Sequence, residues 1–184
     1  MSRKTTFFTL PLCLALALAA PGVFAEPTAA DKETARALLL DGRAKMAAKD
    51  YEAALKSLKA AHAIMNVPTT GLDLARALSA LNQLIEAREL ALQVVRMPAA
   101  PGESSAFADA RKEAEAFAAD LAPRVPSIVI NVTGGTPAEV KVNGTAIKLD
   151  TLGLPRKVNP GHHVVTVQSN TNQTVTRELD IKER

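Results

Sequence analysis

The sequence predicts an α+β protein: a helical-hairpin repeat domain of about five helices, followed by a small antiparallel β-sandwich. Three observations carry this prediction. Residues 26–123 are rich in Ala, Leu, Lys, Glu and Arg, all strong helix formers, and their apolar positions recur every three or four residues. From Val125 onward Val, Thr, Asn and Gly prevail, with alternating apolar residues and tight-turn dipeptides. Between the two textures, Pro123-Arg124-Val125-Pro126 ends a helix and favours an extended path, which places a boundary between 26–123 and 124–184.

A leader precedes both parts. Arg3 and Lys4 are followed by an apolar run from Leu10 to Ala20, a Pro21-Gly22 break and the small-x-small triplet Val23-Phe24-Ala25. This pattern predicts a secretory signal peptide over 1–25, cut between Ala25 and Glu26. The run is shorter than the roughly 20 residues a membrane span needs. Leu12 precedes Cys13 where a lipoprotein signal wants a small residue. Export is therefore expected, to the periplasm or beyond it, with no transmembrane segment left after cleavage. The mature chain would lose Cys13, the one cysteine, so its core rather than disulfides must hold it. Its net charge would drop from +3 to +1 with the loss of Arg3 and Lys4, and neither part carries the basic stripe that nucleic acid requires.

The helices follow in order. Thr28-Ala-Ala-Asp31 reads as a capping box opening a helix to about Lys49, with Ala35, Leu38, Leu39, Gly42 and Met46 on its apolar face. Asp50 caps a second helix carrying Tyr51, Ala54, Leu55, Leu58, Ala61 and Met65, which stops at Pro68. Thr70-Gly-Leu-Asp73 reads as another capping box, opening a third helix to about Leu81; a fourth spans 84–96. A fifth, over 105–121, bears Phe107, Ala110, Ala114, Phe117 and Leu121 on one stripe. Setting Ala54 against Ala87 aligns the first two hairpins with a period of 33 residues. The first copy, with Gly42, Ala44, the run "KDYEAAL", Ala61 and Pro68, resembles a tetratricopeptide repeat; the second is degenerate, with Ala75 and Asn82 in place of glycines. Two such repeats do not close a core, so the fifth helix is expected to cap the stack.

The strands are expected at 127–132, 139–142, 145–149, 156–158, 162–168 and 174–181. Gly134-Gly135 and Pro160-Gly161 mark turns, and Asn143-Gly144 is a strong hairpin signal. The run "VKVNGTAI", followed by Pro160, Gly161, His163, Val165 and Val167, resembles a PEGA domain, an Ig-like module of bacterial envelope proteins. The order of degenerate repeats and then this module is similar to exported proteins of a myxobacterial type. The resemblance implies a β-sandwich and specifies little about function.

Sites for chemistry are few. His162 and His163 are neighbours on a predicted strand and so point to opposite faces; with His62 on a helix, they do not supply the converging ligands of a zinc or copper site. No Gly-x-Ser-x-Gly elbow, P-loop lysine or His-Glu-x-x-His motif occurs. Asp109, Glu113 and Glu115 lie beside Arg111 and Lys112, the pattern of a solvated, ion-paired helix face. The mature chain keeps only Tyr51, Phe107 and Phe117 as aromatics, too few for a sugar- or base-stacking platform. A non-enzymatic interaction or scaffolding protein of the cell envelope is expected, without catalytic, cofactor or metal site. Its protein or peptide partner would meet a groove bearing Arg43, Lys45 and Arg76. The alternative is a passive structural or peptidoglycan-associated wall protein.

Overall fold

The computed structural model describes residues 26–171 and 173–184. The expected leader over 1–25, with Cys13, lies outside the described residues. Five helices come first: α1 (Ala29–Ala47), α2 (Tyr51–Ile64), α3 (Pro68–Ala80), α4 (Leu84–Arg96) and α5 (Ser105–Arg124). Strands β1 (Ser127–Ile128), β2 (Pro137–Val142), β3 (Thr145–Ala146), β4 (Arg156–Lys157), β5 (Gly161–Ser169) and β6 (Thr174–Ile181) follow, with a 3-10 turn at Leu149–Thr151. The layout is α+β.

Caps explain where the helices start. The Thr28 hydroxyl accepts from the Asp31 N–H at 3.2 Å, and the Asp31 carboxylate accepts from the Thr28 N–H at 2.9 Å. The Thr28 hydroxyl also donates to the Asp31 carboxylate at 2.7 Å, and this bond, with that from the Thr28 N–H, holds the Asp31 carboxyl below its usual range. Asp50 caps α2 through the Ala53 N–H. The third start differs from expectation. Helix α3 opens at Pro68, whose fixed φ and missing N–H suit the first helical position. Thr70 thus lies within the first turn rather than at the cap, and Asp73 is released from capping.

Each helix packs on the next, and α3 also touches α1 and α5. Helices α1, α3 and α5 thereby make one side of the stack. The 33-residue period is visible in the fold. Both interhelical turns contain a left-handed residue, Lys49 at φ 63° and Asn82 at φ 60°. The paired positions Ala54 and Ala87, Leu58 and Ala91, and Ala61 and Val94 are all fully buried. Small residues let the helices close up: a Cβ on Gly42 would lie 2.5 Å from Leu58 Cγ, and one on Gly71 2.5 Å from Val94 Cγ2. Helix α5 buries Ala110, Ala114, Ala118 and Leu121, while Phe107 and Phe117 are only half-buried. Pro123 does not end it. Both Pro123 and Ala119 are exposed, so water can satisfy the carbonyl that the proline leaves unpaired.

The strands form a four-stranded sheet in the order β3-β2-β5-β6 and a separate β1-β4 pair, all antiparallel. Asn143 and Gly144, at φ 51° and 78°, make the tight turn between β2 and β3; positive φ at both central residues is why an Asn-Gly pair serves there. Three strands are shorter than expected, the one at 156–158 by a single residue. The one expected over 127–132 is reduced to β1, because its partner β4 is bracketed by Pro155 and Pro160. The one expected over 145–149 stops at Ala146, where the chain leaves for the 3-10 turn.

The two parts are joined by specific bonds. Arg124 donates to Glu183 at 2.5 Å, and the Arg184 N–H to the Arg124 carbonyl at 3.1 Å. Lys157 Nζ donates to the Val125 carbonyl at 2.9 Å, and Leu84, Ala87, Leu121 and Val125 share one apolar cluster.

Candidate functional site

Arg43 and Arg76 stand one repeat apart, on α1 and α3, and share a carboxylate. Arg43 Nε donates to Asp73 Oδ2 at 2.6 Å, and Arg76 Nη1 reaches Asp73 Oδ1 at 3.4 Å. Arg76 Nη2 donates to Glu113 Oε2 on α5 at 2.6 Å. An ionic ladder thus crosses the α1–α3–α5 side. Its centre, Asp73, is 11% exposed, while the Arg43 and Arg76 side chains are 51% and 44% exposed. The buried carboxylate fixes both guanidinium groups, and among the described residues Arg43 has no protein partner for its terminal nitrogens. A planar donor fork of this kind suits carboxylates and peptide carbonyls.

Lys45 is not part of the ladder. Two residues beyond Arg43, it lies on another side of α1, where Nζ donates to Asp41 at 2.6 Å and to Ser57 of α2 at 3.1 Å. Ser57 also donates to Asp41, and these bonds hold the Asp41 carboxyl below its usual range. The three residues fasten α1 to α2.

The histidine pair divides between faces. His162 is exposed and meets Asp180 at 3.1 Å. His163 is buried on the apolar face, with both ring nitrogens bonded. Nε2–H donates to the Asn159 carbonyl at 2.7 Å, and Nδ1 accepts from Asn143 Nδ2 at 3.0 Å. Asn143 Oδ1 in turn accepts from the Val164 N–H at 2.9 Å. The chain of bonds ends on α4: Asn159 Oδ1 accepts from the Ile85 N–H at 2.9 Å, and Asn159 Nδ2 donates to Glu86 at 2.6 Å. Gln83, at the N-cap of α4, makes no side-chain cap bond. The β-module therefore caps a helix of the other part.

His62 is half-buried against Thr70, with Nδ1 2.9 Å from the hydroxyl. That hydroxyl gives its proton to the Met65 carbonyl at 2.6 Å and accepts from the ring. Burial lowers the His62 pKa. Among the described residues no group of three or more His, Cys, Asp or Glu is placed to hold a metal ion, and no helix is long and apolar enough to cross a membrane.

Sequence reasoning assigned Asp73 to a cap and Glu113 to a solvated face, and missed Asn159. The signal for Asp73 was present: two arginines 33 residues apart, on matching helices, imply a shared counter-ion. No family model, curated protein or solved structure matches the chain.

Proposed function

We propose that this is an exported binding and scaffolding protein of the bacterial cell envelope, with no catalytic role, and that its α1–α3–α5 side takes a protein or peptide partner. The observation that carries this reading is the ladder. Arg43 and Arg76 are fixed by a buried carboxylate and keep about half their surface open. Packing alone does not require two guanidinium groups there, whereas a partner's carboxylate or extended backbone would use them. Degenerate tetratricopeptide repeats followed by a PEGA-like β-module fit this role. The paired turns at Lys49 and Asn82, and the Asn143-Gly144 hairpin beside His163, support that reading.

The test is in-cell crosslinking of the tagged protein with identification by mass spectrometry, set against the Arg43→Ala/Arg76→Ala double variant. One or two partners lost in the double variant are expected. An unchanged set of crosslinks would remove the groove reading. Recovery of cell wall alone by both proteins would favour a wall-associated structural role.

A further inference from the structure

Among the described residues β6 is one edge of the four-stranded sheet, with the two-residue β3 the other, and we infer that β6 is a docking edge for an extended protein segment in which apolar residues alternate with Lys or Arg. The inference concerns the β-module alone and does not rest on the helical groove.

The backbone sets the first condition. The Asn143 N–H donates to the Val164 carbonyl, so even-numbered residues of β5 turn their backbone groups toward β2. Odd-numbered residues of β5 turn theirs toward β6, as the Ser169 N–H does in donating to Gln173. The register pairs Val167 with Val175 and His163 with Leu179, so odd residues of β6 complete that ladder. The N–H and C=O groups of Thr174, Thr176, Glu178 and Asp180 therefore point outward. The pairing has no register shift and β6 contains no Pro, so its outward ladder is unbroken; its charges, Arg177, Glu178 and Asp180, limit which strand can add to it.

The side chains set the second condition. On one face Val175 is 52% and Leu179 40% exposed, with the exposed Arg177 between them. Val175 continues into an open cleft of about 550 Å³ between the sheet and residues 130–137, lined by Val165, Val167, Ile130, Val132 and Arg177. An added strand would cover Val175 and Leu179 with alternate residues, and its residue between them would lie against the Arg177 stem. On the opposite face the charged residues of β6 are Glu178 and Asp180, and the Asp180 side chain is 89% exposed. A partner strand would place its other residues against these two carboxylates, which selects Lys or Arg.

A second copy of this chain fits worse. Antiparallel pairing keeps facing side chains on one face, so only alternate registers are allowed. The two most central of these set Arg177 against Arg177 or Glu178 against Glu178. The next two centre on Thr176, which leaves Leu179 outside the pairing, or on Leu179, which sets Glu178 against Asp180 and leaves Val175 unpaired.

The test uses the full chain and a capped octapeptide alternating lysine with valine, followed by fluorescence anisotropy. Three controls accompany it: the glutamate–valine peptide, the lysine peptide N-methylated at alternate residues, and the variants Thr176→Pro and Glu178→Lys/Asp180→Lys. We expect the lysine peptide to bind at least about tenfold more tightly than the glutamate peptide. N-methylation or Thr176→Pro should abolish binding, because each removes outward ladder bonds; the Thr176 N–H is not used by β5, so the sheet persists. The double lysine variant should prefer the glutamate peptide. No binding of the lysine peptide, or binding indifferent to charge and N-methylation, would overturn the inference. So would a dimer, detected by sedimentation, that Thr176→Pro dissociates, since the occupant would then be a second copy.

Discussion

The close approach of α1 to α2 makes a prediction whose sign depends on one neighbour. In an exposed helix, Gly→Ala stabilises by about 1 kcal/mol because alanine loses less backbone freedom on folding. At Gly42 the added Cβ would sit 2.5 Å from Leu58 Cγ and 2.7 Å from Cδ2, and Leu58 is fully buried. Overpacking of this kind costs about 1–3 kcal/mol, so Gly42→Ala should destabilise by roughly 1 kcal/mol net. Leu58→Ala alone should cost about 3 kcal/mol, as a large buried side chain is removed. In that background the obstacle is gone and the new methyl enters the vacated space, so adding Gly42→Ala should now stabilise by about 1 kcal/mol. The coupling between the two sites is then about 2 kcal/mol. Urea denaturation of the four proteins, followed by helical circular dichroism, measures all the terms. If Gly42→Ala stabilises both backgrounds equally, the two helices do not meet at this point and the packing argument fails.

Three further outcomes follow from the site geometry. Asn159→Ala should lower stability by about 1 kcal/mol and speed amide hydrogen exchange at Ile85, because α4 loses a cap supplied from the β-module; unchanged exchange at Ile85 would sink this. Asp73→Ala should cost about 1 kcal/mol in urea, modest because both arginines are about half exposed, and a neutral result would mean that the ladder is not formed in solution. His62 has its pKa lowered by burial, so the unfolded chain binds its proton more readily than the folded one. Stability is therefore full above the ordinary value of 6.5 and falls as the pH drops below it through the lowered folded value. His62→Gln should flatten that part of the stability–pH curve, and an unaltered slope would refute the assignment.

What the sequence made legible was local. The apolar spacing and caps of α1 and α2, the Asn143-Gly144 turn and the alternation in β5 are each written in a few neighbouring residues, and each is found where expected. What was hidden depends on residues far apart. Thr70 and Asp73 have capping-box spacing, but Pro68 starts α3 earlier, and only the packing of α1 on α3 brings Arg43 to Asp73 beside Arg76 of its own helix. The length of β1 is set by two prolines flanking β4, some thirty residues on. Lys45 and Arg43 look alike in sequence; the helical turn between them sends one to Ser57 and the other to Asp73. Asn159 follows no local rule at all, since its partner Ile85 is 74 residues away.

The repeat itself separates what packing demands from what it does not. Residues on the buried faces recur with the period: Ala54 with Ala87, Leu58 with Ala91, Ala61 with Val94. The exposed α1–α3–α5 side keeps the period for Arg43 and Arg76 and breaks it beside them. The position 33 residues before Asp73 is Leu40, which is 57% exposed. A leucine that is mostly in solvent adds little to the core, and a buried aspartate gains its place only from the two guanidinium groups it holds. The carboxylate is thus present once, at the centre of the stack, where it can reach one arginine from each repeat. A copy at position 40 would have had Arg43 alone within its own helix. The asymmetry is what turns two similar hairpins into a single polar surface, because one carboxylate ties together an arginine from each.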